Sequence, residues 1–220
     1  MSDKLRLRFA KEGRAVYISH LDLMRTMQRA FQRAGYALKY SEGFNPHPIL
    51  SILLPLSVGA SSVCELMDFQ LAAETDLAEM PERLTAAMPE GIRVTEVWTD
   101  GRKVKELKWL RIAGNLEYDT ADAEQMRDGL QRFFAREQIV IRRKTKRGEG
   151  ESDIAPAIRA IGFSAGEGCV HVSAVVSAQD PTLNPDQLIA ALRQLAPDLA
   201  PDFAEFTRLA VYDAGMKEFR

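Results

Sequence analysis

The chain has 220 residues, 46% of them hydrophobic and 27% charged, a balance typical of a globular protein that buries its own core. Lys and Arg number 29 against 31 Asp and Glu, and the net charge of -2 excludes a protein that is basic throughout. Any nucleic-acid surface must therefore be local. The two cysteines, Cys64 and Cys169, are too far apart for a disulfide scaffold, a zinc ribbon or a cysteine-ligated iron–sulfur cluster. Neither a signal core nor a membrane-spanning apolar run occurs, and this predicts a cytoplasmic chain.

The first hundred residues are predicted to alternate strands and helices. Residues 4–10 alternate apolar and basic side chains, as a half-buried strand does. Ser19 and Asp22 have the spacing of a capping box, and the helix that follows is expected to end at Gly35. Its apolar face is Leu23, Met27, Ala30, Phe31 and Ala34. The remaining predicted elements are a strand at 36–40, an extended arm at 49–56, a strand at 64–71, a helix at 76–88 and a strand at 91–98.

Once the insertion at 41–60 is left out, the second half repeats this order of elements. Its predicted elements are a strand at 107–113, a helix at 121–135, strands at 138–146 and 168–178, a helix at 185–196 and a strand at 204–212. Two βαββαβ runs predict an α+β protein of tandem ferredoxin-like units, each with an antiparallel sheet covered on one face by its two helices. The polar stretch at 99–102 is the expected boundary, giving domains 1–100 and 101–220.

Two basic elements stand out against the negative net charge. Arg25, Arg29 and Arg33 recur every four residues on the first helix, along about 12 Å of its polar face. Guanidinium groups bind phosphate bidentately, so this face is a candidate for RNA backbone, although a solvated helix face is the alternative. The second element is a predicted hairpin carrying Arg142, Arg143, Lys144, Lys146 and Arg147. It is expected to be a second phosphate contact or, alternatively, a mobile solubilising loop.

The loop at 41–48 is the most unusual stretch of the sequence. Pro46 and Pro48 stiffen the backbone on either side of His47, and rigid loops with aromatic and imidazole groups suit a ligand site. The candidate binding residues are Ser41, Glu42, Phe44, Asn45 and His47. Phe44, Asn45 and His47 are expected in a cleft between the first helix and the adjoining sheet. The alternative is a turn shaped by its prolines.

Few residues offer catalytic chemistry. His20 and His47 are a possible acid–base pair for work on RNA, although no spacing rule places them together. No cofactor fingerprint, metal-ligand cluster or nucleophile elbow is present, so neither a cofactor nor a metal is predicted. Cys64 and Cys169 lie in predicted strands and are expected in the core.

Four sequence blocks carry a resemblance to a known family. They are residues 17–25 (YISHLDLMR), 40–48 (YSEGFNPHP), 54–59 (LPLSVG) and 65–68 (ELMD). In them the chain resembles the radical-SAM-linked family of bacterial proteins of unknown function, which occur fused to a radical SAM protein or encoded beside one. Ile49 and Ala155 stand where that family commonly has a basic residue. The chain has no CxxxCxxC motif, so the resemblance implies that a radical SAM protein is its partner and holds the cluster.

Three functions are compatible with these observations. The first is a non-catalytic accessory that binds RNA, or another macromolecular substrate, for a separate radical SAM enzyme. The second is an RNA-processing or RNA-modifying enzyme that uses His47 and His20, and the third is a pure protein–protein interaction module. Salt-sensitive RNA binding would separate the first two from the third, and RNA turnover would separate the second from the first.

Overall fold

The computed structural model describes residues 4–99, 102–145 and 148–220. The chain divides into two compact units, one reaching Val104 and including Arg220, the other covering Lys105–Phe219. The domain limits 1–100 and 101–220 stay a prediction, and Asp100 and Gly101, within the expected boundary, lie outside the described residues. Over the described ranges, no helix is long and apolar enough to cross a membrane.

The first unit combines four strands with two helices. These are β1 (Leu5–Lys11), α1 (His20–Arg33), β2 (Leu50–Ile52), β3 (Ser61–Phe69), α2 (Met80–Ala86) and β4 (Ile92–Thr99). The strands lie in the order β4-β1-β3-β2, and each described pair is antiparallel. Phe69 shows the arrangement directly, because it is paired with Leu5 of β1 on one side and with Leu50 of β2 on the other.

The second unit has six strands and two helices. These are β5 (Leu107–Glu117), α3 (Ala123–Phe134), β6 (Val140–Thr145), β7 (Gly148–Asp153), β8 (Ile158–Ala165), β9 (Cys169–Ser177), α4 (Asp186–Leu195) and β10 (Phe203–Asp213). Four strands form a sheet in the order β10-β5-β9-β8, while β6 and β7 pair as a separate hairpin. The α+β class and the antiparallel pairing are thus confirmed within both units.

Several predicted elements differ in the structure. Residues 36–40 form no strand; they make two isolated bridges, Leu38 to Leu71 and Tyr40 to Pro48. The predicted arm at 49–56 contributes only the three residues of β2, because the chain bends at residues 53–54. The predicted helix at 76–88 is shortened to α2, whose second residue is Pro81. Proline is tolerated only in the first turn, so α2 begins immediately before it.

The largest difference is in the second unit. The predicted strand at 138–146 does not enter the main sheet but becomes β6 of the hairpin. Its place beside β9 is taken by β8, which sequence reasoning missed. The segment of β8 contains Gly162 and several small or polar residues, so its hydrophobic alternation is too weak to stand out.

Each core forms where the apolar faces of the helices meet the sheet. The predicted apolar face of α1 is confirmed, since all five of its residues are buried. Phe31 packs on Phe69 of β3 with ring centroids 4.9 Å apart. In β9, alternate residues from Val170 to Val176 are buried, so Cys169 and His171 belong to the opposite face. Cys64 is buried as expected, but Cys169 is only half-buried, because its position in β9 points it away from the core.

Candidate nucleic-acid interface

The start of α1 is fixed by the predicted capping box. Ser19 accepts a hydrogen bond from the backbone N–H of Asp22 over 3.2 Å, and its hydroxyl donates to the Asp22 carboxylate over 2.8 Å. Arg25 donates to the same carboxylate over 3.1 Å. The Ser19 hydroxyl and then the Arg25 guanidinium lower the pKa of Asp22 below its ordinary value. Arg25 is therefore partly neutralised by its own helix turn.

A buried lysine positions the segment that leads into α1. The Lys11 ammonium, at the end of β1, donates to the carbonyls of Val16 over 3.1 Å and Ile18 over 3.0 Å. Burial lowers the pKa of Lys11, and the nearby Glu65 carboxylate opposes that effect. These bonds tie β1 to the turn before Ser19, and they set the direction in which α1 leaves the sheet.

The three arginines of α1 have unequal roles. Arg33 donates to the carbonyl of Ala87 over 2.5 Å, just beyond the end of α2. Arg83 of α2 makes the reciprocal contact, donating to the carbonyl of Ala34 over 2.6 Å, and it stacks over the Tyr36 ring. Cations at helix C-termini satisfy carbonyls left without helical partners. Arg33 and Arg83 thus join the ends of the two helices, and sequence reasoning missed Arg83 because its partner lies 49 positions away.

Arg29 differs from its two neighbours. Among the residues that the structure describes, it has neither an ion pair nor a side-chain hydrogen bond, and it is exposed. It borders two adjacent grooves. One, of about 710 Å³, lies between α1 and α2 and includes Arg33 and Arg83. The other, of about 660 Å³, lies between α1 and the segment that follows it.

The second groove, hereafter the tyrosine groove, joins cations to aromatic and amide side chains. On the α1 side it is lined by Arg25, Gln28, Arg29 and Gln32, and on the other side by residues 35–38, Tyr40 and Pro48. Tyr40 is half-exposed, at 50%. An aromatic face beside a guanidinium group is the combination that single-stranded nucleic acids use, with a base on the ring and a phosphate on the cation.

The predicted binding loop lies next to this groove and is held by its own bonds. Ser41 and His47 are joined by three of them: the Ser41 N–H donates to the His47 carbonyl over 2.9 Å, the His47 N–H donates to Ser41 Oγ over 3.1 Å, and Ser41 Oγ lies 2.9 Å from His47 Nδ1. The ring Nδ1 is also 3.4 Å from the Asn45 carbonyl. His47 is exposed, so its Nε2 faces solvent.

The loop tip does not line the groove. Phe44 is fully exposed, Glu42 and Asn45 are exposed, and of the loop only Pro48 is among the lining residues. Phe44, Asn45 and His47 are thus not among the residues that line the tyrosine groove, and their place in a cleft stays a prediction. His20 is exposed at the first position of α1, and no described hydrogen bond joins it to His47. The possible acid–base pair stays a prediction.

The basic hairpin carries compensating acids. Cross-strand register places Arg142 opposite Glu151 and Lys144 opposite Glu149, and the Arg142 and Glu151 side chains form a 3.9 Å ion pair. Opposite charges across a strand pair reduce the local field. Arg142 is also anchored through its backbone, which exchanges two hydrogen bonds with the Gln194 side chain of α4. Arg143 is half-exposed, and Lys146 and Arg147 lie outside the described residues.

Comparison with known proteins gives a family but no activity. A family model described as "Uncharacterized protein conserved in bacteria (DUF2344)" matches residues 4–185. Comparison with curated proteins gives no match. Among solved structures, the crystal structure of an unknown protein from Galdieria sulphuraria has a TM-score of 0.28 and 9% identity, over 94% of this chain and 99% of that one. A likeness of this degree carries no argument about fold or function.

Proposed function

The chain belongs to the DUF2344 family of uncharacterized bacterial proteins, and we propose that it is a non-catalytic accessory which binds RNA, or another macromolecular substrate, for a separate radical SAM enzyme. The tyrosine groove is the binding site in this proposal, and single-stranded RNA is the ligand that it fits best. The observation that carries the proposal is that Arg29, an exposed guanidinium without a described ion pair or hydrogen bond, and the half-exposed Tyr40 line the same groove.

The groove offers contacts to both the base and the phosphate of a nucleotide. A base stacked on Tyr40 would contribute about 1–3 kcal/mol, whatever its identity. Arg29 would take the adjoining phosphate, and Gln28 and Gln32 offer amide donors and acceptors to the base edge. The exposed Phe44 and His47 belong to the loop whose last residue, Pro48, lines the groove, and they would be contacts for the following nucleotides. The hairpin at Arg142 and Arg143 becomes a secondary contact, since its acids offset much of its charge.

The partner in this proposal rests on the sequence resemblance. A radical SAM cluster needs three closely spaced cysteines, and this chain has Cys64 and Cys169, which are 105 positions apart. The radical chemistry is therefore assigned to another polypeptide, and this chain is assigned the binding of the substrate.

Each unit is further proposed to be ferredoxin-like. Support comes from the strand orders β4-β1-β3-β2 and β10-β5-β9-β8. In both sheets the fourth, first, third and second strands of a βαββαβ run, taken in chain order, lie side by side. In the second unit this count omits the β6–β7 hairpin as an insertion between α3 and β8.

The proposal is tested by titrating a fluorescein-labelled oligouridine with the full chain and with Tyr40→Ala. Loss of one stacking contact is expected to weaken binding by about 5- to 150-fold. Tyr17→Ala is the matched control, because Tyr17 is an exposed tyrosine, at 74%, on the same unit but outside the groove. Equal weakening by both substitutions, or no binding by the unaltered chain, would overturn the tyrosine groove as the site.

The same samples test the enzymatic alternative. Incubation with RNA should leave its length and its nucleosides unchanged, because no described contact assembles His20 and His47 into an acid–base pair. RNA turnover that disappears in His47→Ala would instead support an RNA-processing enzyme.

A further inference from the structure

We infer that Cys169, His171 and Asn115 form a nucleophile, base and positioning group on the open face of the second unit, and that the site reacts with activated acyl groups. The inference goes beyond the proposed function, because the site lies in the other unit and does not involve the tyrosine groove. Sequence reasoning placed Cys169 in the core and did not use His171.

The sheet register brings the polar side chains into one row. Asn115 of β5 lies directly opposite His171 of β9, and Glu205 of β10 lies directly opposite Asn115. Directly opposite residues in an antiparallel pair have adjacent side chains. The Asn115 amide nitrogen donates to Glu205 Oε1 over 2.8 Å, and the Asn115 amide oxygen lies 2.7 Å from His171 Nδ1.

This row determines where the imidazole carries its proton. A carboxylate only accepts hydrogen bonds, so Glu205 fixes the Asn115 amide with its nitrogen toward Glu205 and its oxygen toward His171. An amide oxygen also only accepts, so His171 Nδ1 must carry a hydrogen. In the neutral ring Nε2 is then unprotonated and available as a base. Asn115 is a positioning residue, since it acts through His171.

The base faces a thiol. Cys169 and His171 are two residues apart in β9 and share a face of the sheet, and Cys169 Sγ lies 4.0 Å from His171 Nε2. Cys169 is half-buried, so its sulfur is within reach of a small reagent. A nucleophile near a base that a third group orients is the arrangement used in covalent catalysis.

Gly166 lets the chain pass close to the reacting atoms. A Cβ atom added there would lie 2.6 Å from His171 Nε2 and 3.0 Å from Cys169 Sγ. Any side chain at this position would collide with the imidazole, so the glycine allows His171 and Cys169 to lie as close to the backbone as they do. His171 and Asn115 line a groove of about 600 Å³, which includes the hydroxyl-bearing Ser164 and Ser173. The groove is large enough for a small acyl group.

The proposed step conserves atoms and charge. His171 Nε2 takes the proton of the Cys169 thiol, and the thiolate attacks the carbonyl carbon of an activated ester or thioester. A C–S bond forms, and the bond from that carbon to the leaving oxygen or sulfur breaks. The proton on Nε2 then passes to the leaving group, and the acyl group remains on Cys169 as a thioester.

The probe for this site is p-nitrophenyl acetate. The full chain is expected to release a rapid burst of about one equivalent of p-nitrophenolate, as acyl-enzyme formation does. Mass spectrometry should locate the acetyl group on Cys169. Cys169→Ser should abolish the burst, and Cys64→Ser is the matched control that should keep it, because Cys64 is buried in the first unit.

Three further variants separate chemistry from folding, with thermal melting as the check that each chain is folded. His171→Gln should slow acetylation of Cys169 at neutral pH by about 100-fold and change the pH profile of the reaction, because the base that accepts the thiol proton is lost. Asn115→Ala should also move the profile, while Asn115→Asp, which keeps an acceptor for Nδ1–H, should restore it. Gly166→Ala should slow acetylation, because the added methyl group collides with the imidazole and displaces it from the thiol. A folded His171→Gln chain with an unchanged rate and pH profile, or equal acetylation of both cysteines, would overturn the inference.

Discussion

Arg29→Gln is the substitution that tests the electrostatic half of the proposed site most directly. Arg25 shares its charge with Asp22 at 3.1 Å, and Arg33 donates to the Ala87 carbonyl. Arg29 has no such partner among the described residues, so it is the cation of α1 most available to a phosphate. One phosphate contact on a single strand changes the slope of log affinity against log salt by about 0.7.

The change in slope also predicts how far the affinity for RNA should fall in Arg29→Gln. At 0.1 M salt, a loss of 0.7 in slope corresponds to a roughly fivefold weaker affinity, on the same counterion-release relation. The assay is the oligouridine titration at several salt concentrations between 50 and 200 mM. The free energy of unfolding should remain within about 0.5 kcal/mol of the unaltered chain, since the exposed Arg29 side chain makes no hydrogen bond or ion pair with the described residues.

Two variants serve as comparisons for Arg29→Gln. Arg132→Gln makes the same charge change on an exposed face of α3, in the other unit, and should leave the slope unchanged. Arg33→Gln should lower the stability of the first unit by about 1 kcal/mol, because it removes a hydrogen bond to the end of α2. An equal fall in slope for Arg29→Gln and Arg132→Gln would refute the reasoning, since binding would then follow net charge alone.

Two other predictions concern the framework of the units. Ser19→Ala should cost about 1 kcal/mol of stability through loss of the N-cap, measured by urea unfolding. It should also raise the pKa of Asp22, measured by NMR titration, because the Ser19 hydroxyl is the main cause of its lowered value. Burial, aided by Asp202, raises the pKa of Tyr118 to about 12, and its hydroxyl donates to the Leu199 carbonyl over 2.9 Å. The neutral phenol therefore contributes stability that is complete below about pH 10 and is lost as pH rises toward 12, and Tyr118→Phe should remove that part of the pH dependence of the melting temperature.

The local signals in the sequence located most helices and the clear strands. The bounds of α1 could be predicted to within one helical turn from three local features: the capping box at Ser19, the period of the apolar face and the glycine at position 35. Capping and periodicity are properties of neighbouring residues, so the sequence shows them directly. The alternation in residues 4–10 gave β1 for the same reason. The two-residue period also put Cys169 and His171 on one face of β9, although sequence reasoning did not use it.

The pairing of distant elements set the candidate site, and no local pattern encodes it. The three arginines of α1 have equivalent positions in the sequence. In the structure, however, Arg33 donates a hydrogen bond to the Ala87 carbonyl at the end of α2, while Arg29 stays exposed. In the sequence, the basic run at 142–147 is a cluster of positive charge. In the structure, the register of the hairpin places Glu151 opposite Arg142, and the two side chains form an ion pair. In both cases the partner of a charge determines what that charge can bind, and the partner lies far along the chain.

The amino-acid sequence by itself determined the α+β composition, the burial of α1 and the stiff loop around His47, since each follows from residues within a few positions of one another. Only the tertiary structure decided which strand lies beside β9, and therefore that β8, with Gly162 and Ser164, lines the groove next to His171. Strand order and register depend on many weak contacts between residues distant in the chain. The row Glu205, Asn115 and His171 exists only through that register, because its members are 90 and 56 positions apart.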